Sequence, residues 1–408
     1  MRRPLALAVA VTALAALAVR AGAATLAIEA GTLHTEGPEG TLTDAVVLVR
    51  EGRIAKVGPR GSVELPEDAR RLRAAVVTPG LIDTHSSAGL AGIHNVPADR
   101  DSDEVTGPNQ AGLRALDGFN PHEPLLGWLL ANGVTVVQSG PGEANPIGGL
   151  AGVFKTWGAN VEAMTLRFPS ALVVTLGEPP KETYGAKLQA PVTRMGTAAL
   201  LRTAFTEARG YAEKRGKQEA PARDLAKEAL VLALEREIPV LATARREDDL
   251  VTALRIAREF ELDLELADAV EGYLVADEIR AAGVPVHVGP VMERVAALET
   301  MNLSLENAAI LARHGIPITF QSGFEDYVPR THVVRFEAAV AGAWGLGFEP
   351  ALRALTIDAA RRLRVDDRVG SLERGKDADL VLFDGDPFEY TTHVETVIVN
   401  GAVAWQRE

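Results

Sequence analysis

His85 is where the chemistry of this sequence has to start. It closes an apolar run, V-V-T-P-G-L-I-D-T-H-S-S (Val76–Ser87), with Ser87 two residues on. Residues i and i+2 of a strand share a face, so the two side chains point together. Imidazole is the commonest metal ligand and general base, whereas a serine hydroxyl serves poorly for either. Three later apolar runs also end in polar or special residues: Thr243 and Arg245 after P-V-L-A, Asp268 after L-E-L-A, and Gly323 after I-T-F-Q-S. A Gly/Pro-rich stretch, L-G-E-P-P-K-E-T-Y-G (Leu176–Gly185), adds Glu178 and Lys181. His85, Glu178 and Asp268 could hold a divalent cation, although hard ions want six or more oxygens. Arg245 and Arg246 could grip a carboxylate bidentately, or pair with Asp248 or Asp249. The glycine loops are not phosphate loops, because no G-K-[ST] follows them.

The elements that must position these residues are alternating strands and helices. Glu237–Ala244, Leu262–Ala269, Val284–Pro290 and Ile316–Gly323 read as strands. Helices are expected over Asp249–Phe260, up to Gly283, from an N-cap at Ser304 to a stop at Gly315, and over Val333–Trp344. The period is that of βα units, and continuous apolar strands imply a parallel sheet. We therefore expect an α/β fold: a (β/α)8 TIM barrel over 78–364, with chemistry at the C-terminal strand ends. Residues 24–77 and 365–408 carry hairpin signals at Glu51-Gly52 and Asn400-Gly401. They should combine into one small β-sandwich domain.

Composition removes whole classes of function. The 408 residues include 8 histidines and no cysteine, which excludes disulfides, thiolate nucleophiles and cysteine-based metal sites. A net charge of −13 argues against nucleic acid as a partner. Residues 1–23, with Arg2, Arg3, an apolar stretch and Ala21-Gly22-Ala23, read as a cleaved export signal of a periplasmic or secreted bacterial protein. The alternative is an uncleaved anchor. No later stretch is long and apolar enough to span a membrane.

Val76–Ser87 resembles the P-G-L/F-I-D-x-H-x-H signature of the amidohydrolase superfamily. G-S-L-E-R-G-K-D-A-D-L-V-L-F-D (Gly370–Asp384) and V-I-V-N-G-A-V-A-W (Val397–Trp405) resemble its C-terminal sandwich. Pro141–Gly158, Leu176–Gly185 and Thr193–Arg202 are similar to segments of the imidazolonepropionase-like branch, whose loop reads P-G-S-A-N-x-I-G-G. The resemblance spans nearly the whole chain after residue 23. It implies a metal-dependent hydrolase of non-peptide C–N bonds in amides or cyclic amides. Zinc or another divalent ion would activate a water.

The resemblance also shows what has been replaced. Ser87 stands at the second His of H-x-H. Thr243 and Arg245 stand at the two His positions after strand 5, Asp268 at the strand 6 His, and Gly323 at the strand 8 base. Glu271, Tyr273 and Arg194 keep the branch's pattern. Glu325 or Asp326 could substitute as base two or three residues late; His94, His122, His314, His332 and His393 match no ligand position, and His287 is a core or rim residue. The expectation is a catalytically impaired pseudoenzyme without a tightly bound metal. It would bind a small molecule, or support an active relative, and could be a homo-oligomer. The competing expectation is an active C–N hydrolase with an altered metal set from His85, Glu178, Lys181 and Asp268.

Overall fold

The computed structural model describes residues 25–408 except 95, 216–220, 293–294, 296 and 324–332. The expected export signal, Glu325, Asp326 and His332 lie outside the described residues. Among those described, no helix is long and apolar enough to cross a membrane.

Both ends of the chain meet in one seven-stranded sheet. Strands β1 (Leu26–His34), β2 (Thr41–Arg50), β3 (Arg53–Pro59) and β4 (Arg70–Pro79) come from the first segment. The barrel contributes β5 (Leu81–Ser86), β6 (Val134–Ser139), β7 (Ile147–Lys155), β8 (Thr165–Thr175), β9 (Val240–Ala244), β10 (Leu264–Asp268), β11 (Val286–Val288) and β12 (Ile318–Phe320). Strands β13 (Leu380–Phe383), β14 (Val394–Val399) and β15 (Ala402–Gln406) complete the sheet, in the order β15-β14-β13-β4-β1-β2-β3. The two ends join where β4 pairs antiparallel with β13, Val77 opposite Leu382. Both hairpins form where expected: Glu51 and Gly52 take φ of 51° and 79°, Asn400 and Gly401 50° and 73°, as a tight two-residue turn demands. Side chains alternate across β13. Leu380 and Leu382 enter the sheet's own core, while Val381 and Phe383 pack with Leu130 of the barrel.

Strands β5 to β12 form a nearly closed eight-stranded barrel, bridged at the seam by Ser86 and Gly323. One strand departs from the expected all-parallel pattern: β7 runs antiparallel to both β6 and β8. The reason is connection length. Residues 140–146 and 156–164 are too few for the crossover that parallel neighbours require. Small residues fill the barrel interior, among them Ala151, Ala171 and Ala267. Ala359, Ala360 and Leu363 plug its floor against Ile82, Val136 and Val153. The helices lie close to their expected spans. The one expected from Ser304 starts later, at Asn307, because Ser304 Oγ accepts the Glu306 N–H in a preceding turn, at 3.3 Å.

Candidate functional site

The strand ends bring together His85, Ser87, Arg245, Asp268 and Gly323 at the barrel mouth. Asp83 fixes the seam beneath them. Its carboxylate accepts the His85 N–H at 3.2 Å, the Ser322 N–H at 3.1 Å and the Ser322 hydroxyl at 2.5 Å. Burial raises Asp83 to about 7 despite those donors. Gly323 N–H donates to the His85 carbonyl at 3.1 Å.

A line of polar contacts crosses the mouth. His85 Nδ1 meets Gln321 Oε1 at 2.9 Å, and Gln321 Nε2 donates to Asp268 Oδ1 and to the Gly289 carbonyl. Asp268 Oδ2 lies 2.8 Å from an Arg245 nitrogen, which also reaches both Glu143 oxygens at 2.7 Å. Glu299 stands 3.8 Å from the same guanidinium. These three carboxylates hold Arg245 charged. Burial, then the proximity of His287 and Arg245, pushes His85 down to about 3, so its ring is neutral. Asp268 and Ala269 both take left-handed φ, 65° and 47°. Such backbone is uncommon outside glycine and clusters where a side chain is being aimed; here it ends β10 and carries Asp268 into the mouth.

Above this layer opens a cavity of about 720 Å³, lined by Ser87, Glu143, Glu178, Arg245 and Glu299 among others. Glu178 opens the helix Glu178–Gly185 and faces the cavity; Lys181 is not among the lining residues. The Glu178 N–H donates to Glu299, whose carboxylate is also held by Arg194 at 2.5 Å. Burial nevertheless raises Glu299 to about 7. Gly177 is required here: with φ 95°, a Cβ would come within 2.6 Å of Glu299. The Ser87 and Thr243 hydroxyls are buried and make no hydrogen bond among the described residues.

Several expectations need correction. Arg245 does not offer its fork to an incoming carboxylate, because the protein's own Glu143 and Asp268 already take it. Nor does it pair with Asp248 or Asp249, which go to Arg246 and Arg194. His287, in contrast, is the core residue expected, held by Glu265 at 3.0 Å and Thr319 at 2.8 Å. Glu271 and Tyr273 position backbone: Glu271 accepts the Glu247 N–H that starts the helix Glu247–Phe260, and Tyr273 donates to the Asn302 carbonyl. Three site residues were not singled out from the sequence: Glu143, Gln321 and Glu299. Glu143 did leave a signal, since it stands at the Ser of P-G-S-A-N, an acid arriving together with the base Arg245.

Comparison with known proteins places this geometry. The model of the amidohydrolase family matches residues 199–404, about half of the chain. A solved amidohydrolase from Thermotoga maritima MSB8 is 34% identical, with a TM-score of 0.87, over 94% of this chain and all of that one. This chain belongs to the amidohydrolase family. An imidazolonepropionase from Cupriavidus pinatubonensis is 27% identical over 85% of this chain and 84% of its own, in keeping with the imidazolonepropionase-like branch. The amidohydrolase tasK of Hapsidospora irregularis is 28% identical over 84% of this chain, which spans only 38% of tasK.

The family resemblance implies a divalent metal, and the residues at this mouth do not fit one. Arg245 brings a permanent cation to within 2.8 Å of Asp268, the carboxylate that would have to bind the ion. Ser87 and Thr243 offer neutral hydroxyls and Gly323 offers no side chain. Among the described residues, the three His, Asp or Glu side chains whose ligand atoms lie within 4.8 Å of one another are His34, Glu36 and Glu349, in the sheet domain and its border.

Proposed function

We propose that this amidohydrolase-family protein binds a small molecule at the barrel mouth without hydrolysing it by the family's metal-dependent route. One observation carries the reading: the Arg245 guanidinium sits between Glu143 and Asp268, where the catalytic ion of a relative would need its ligands. A fixed cation of this kind can neutralise the carboxylates, but it cannot lower the pKa of a water as a Lewis acid does. Gly323 removes the side chain that would take the proton. Supporting a ligand are the size of the cavity, about 720 Å³, which is in the range of small-molecule sites, and the buried Ser87 and Thr243 hydroxyls, which have no hydrogen-bond partner among the described residues. A segment with the composition of residues 1–23 would direct the chain to the periplasm or beyond.

The test is turnover of N-acyl amino acids and cyclic amides with added Zn²⁺ or Mn²⁺, alongside thermal-shift screening of the same compounds. The reading expects no metal-dependent turnover, and a rise in Tm with at least one compound that Ser87→Trp abolishes. Metal-dependent turnover that disappears in His85→Ala would overturn it in favour of a hydrolase with an altered metal set.

A further inference from the structure

The border between the two domains carries a separate set of ligand-type side chains. Strand β1 ends at His34, and Glu36 follows in a left-handed turn, φ 54°. Glu349 comes from the helix Phe348–Ala354, which packs on barrel strand β12. One ligand atom from each of the three lies within 4.8 Å of the others. His34 is only 7% exposed; its Nδ1 is fixed by Thr41 Oγ1 at 3.1 Å and its ring lies against Phe348.

Glu36 is the informative member. Its side chain is 5% exposed, and the ion pair that reaches its carboxylate among the described residues is a long one. The nearest cation, Arg353, stands off at 4.0 Å and is itself held by Asp358 at 2.8 Å. Burial, and then the charge of Glu349, raise Glu36 to about 7. A carboxylate this buried is ordinarily paired or hydrogen-bonded. Here it faces a second carboxylate and an imidazole, an arrangement that a cation between them would relieve.

We propose that His34, Glu36 and Glu349 bind one divalent transition-metal ion of the zinc class, which clips the sheet domain to the helix Phe348–Ala354. One imidazole nitrogen with two carboxylate oxygens is a donor set for Zn²⁺, with water as fourth ligand; an all-oxygen set would have pointed to Ca²⁺ or Mg²⁺. Two ligands at about 2.1 Å from one ion can be at most about 4.2 Å apart, so atoms within 4.8 Å of one another need at most a slight contraction on binding. Glu349, exposed on its helix, has the freedom to do so.

The experiment is calorimetric titration of Zn²⁺ into the chelator-stripped full chain, read together with Tm. The expected result is one ion per chain, a zinc-dependent rise in Tm, and affinity weakened at least tenfold in Glu349→Gln and in His34→Ala. Glu349→Gln changes an exposed position, so the test stands even if His34→Ala does not fold. Absence of saturable binding, or binding that survives Glu349→Gln unchanged, overturns the proposal. Binding lost in His85→Ala but kept in Glu349→Gln overturns it too, and places the ion at the barrel mouth, against the function proposed above.

Discussion

At the residue scale, the site turns on one exchanged pair. The family resemblance implies Ser and His at the positions of Glu143 and Arg245, and the side chains present here meet at 2.7 Å. They are 12% and 16% exposed, so little water screens them. Removing one partner of a buried pair strands the other, but Arg245 keeps Asp268 and Glu299, which limits the damage. Glu143→Ser should therefore cost about 2–3 kcal/mol and Arg245→His a comparable amount. The double substitution should cost less than their sum by about 0.5–3 kcal/mol. Urea denaturation of the four proteins measures the coupling; strict additivity would remove the pair's claim to be compensatory. The apolar runs point to His85, Ser87, Thr243, Asp268 and Gly323 because each stands at, or within three residues of, the end of a barrel strand. They could not weigh Glu143 against Arg245, which are 102 residues apart in the chain, nor decide between Glu178 and Lys181. That choice depends on how the helix Glu178–Gly185 turns about its axis.

At the scale of elements, the end of β12 limits what residue 323 can be. Gly323 has φ 72°, and a Cβ there would meet only ordinary van der Waals contacts among the described residues, Pro290 at 3.6 Å and Asp268 Oδ1 at 3.9 Å. The obstacle is backbone conformation, about 1–2 kcal/mol for an L residue, and for Asp the adjacent Asp268 charge as well. Gly323→Ala should lose about 1–2 kcal/mol, Gly323→Asn less, since Asn tolerates this region, and Gly323→Asp most of the three. Equal losses for Asn and Asp would mean that Asp268 exerts no field there. Glu123, which precedes the helix Pro124–Ala131, supplies a pH signature. It is 4% exposed and accepts the Gly89 N–H; burial pushes it up to about 8, with Asp99 adding to the rise. A raised acid binds its proton more tightly in the folded state. Its stabilisation is complete below the ordinary carboxyl value of 4.5 and is lost as pH climbs through about 8. Glu123→Gln keeps an acceptor for Gly89 without that loss, so its Tm relative to the unsubstituted protein should rise from pH 6 to pH 9. A pH-independent difference would refute the assignment. The order of these elements was legible from hydrophobic periodicity. The reversed β7 was not: the expectation of a parallel sheet rested on apolar runs, and only the short connections at 140–146 and 156–164 betray it.

At the scale of the whole molecule, the motif G-K-D-A-D that helped to place the chain in its family proves to be a fastening between domains. Lys155, at the end of β7 and 1% exposed, lies 2.9 Å from both Asp377 and Asp379 and 2.5 Å from the Asn400 side chain. Asp377 has other cations, Arg368 at 2.6 Å and Arg53 at 3.3 Å, and is held below its ordinary range. Asp379 is buried, and Lys155 is its only salt-bridge partner among the described residues; its burial outweighs that attraction and raises it. Lys155→Met should consequently do more than remove a contact. It leaves Asp379 buried beside an apolar side chain, at a cost of about 3–5 kcal/mol. The same barrel strand carries Lys155 and packs Val153 on the floor, so loosening one domain should loosen the other and the transition should stay single. Asp379→Asn in the Lys155→Met background then separates charge from packing. If the stranded carboxylate is the main cost, the double variant regains at least 1 kcal/mol over Lys155→Met in chemical denaturation. If lost packing is the main cost, the second substitution restores nothing, and the cluster is a filler of space rather than an electrostatic clasp.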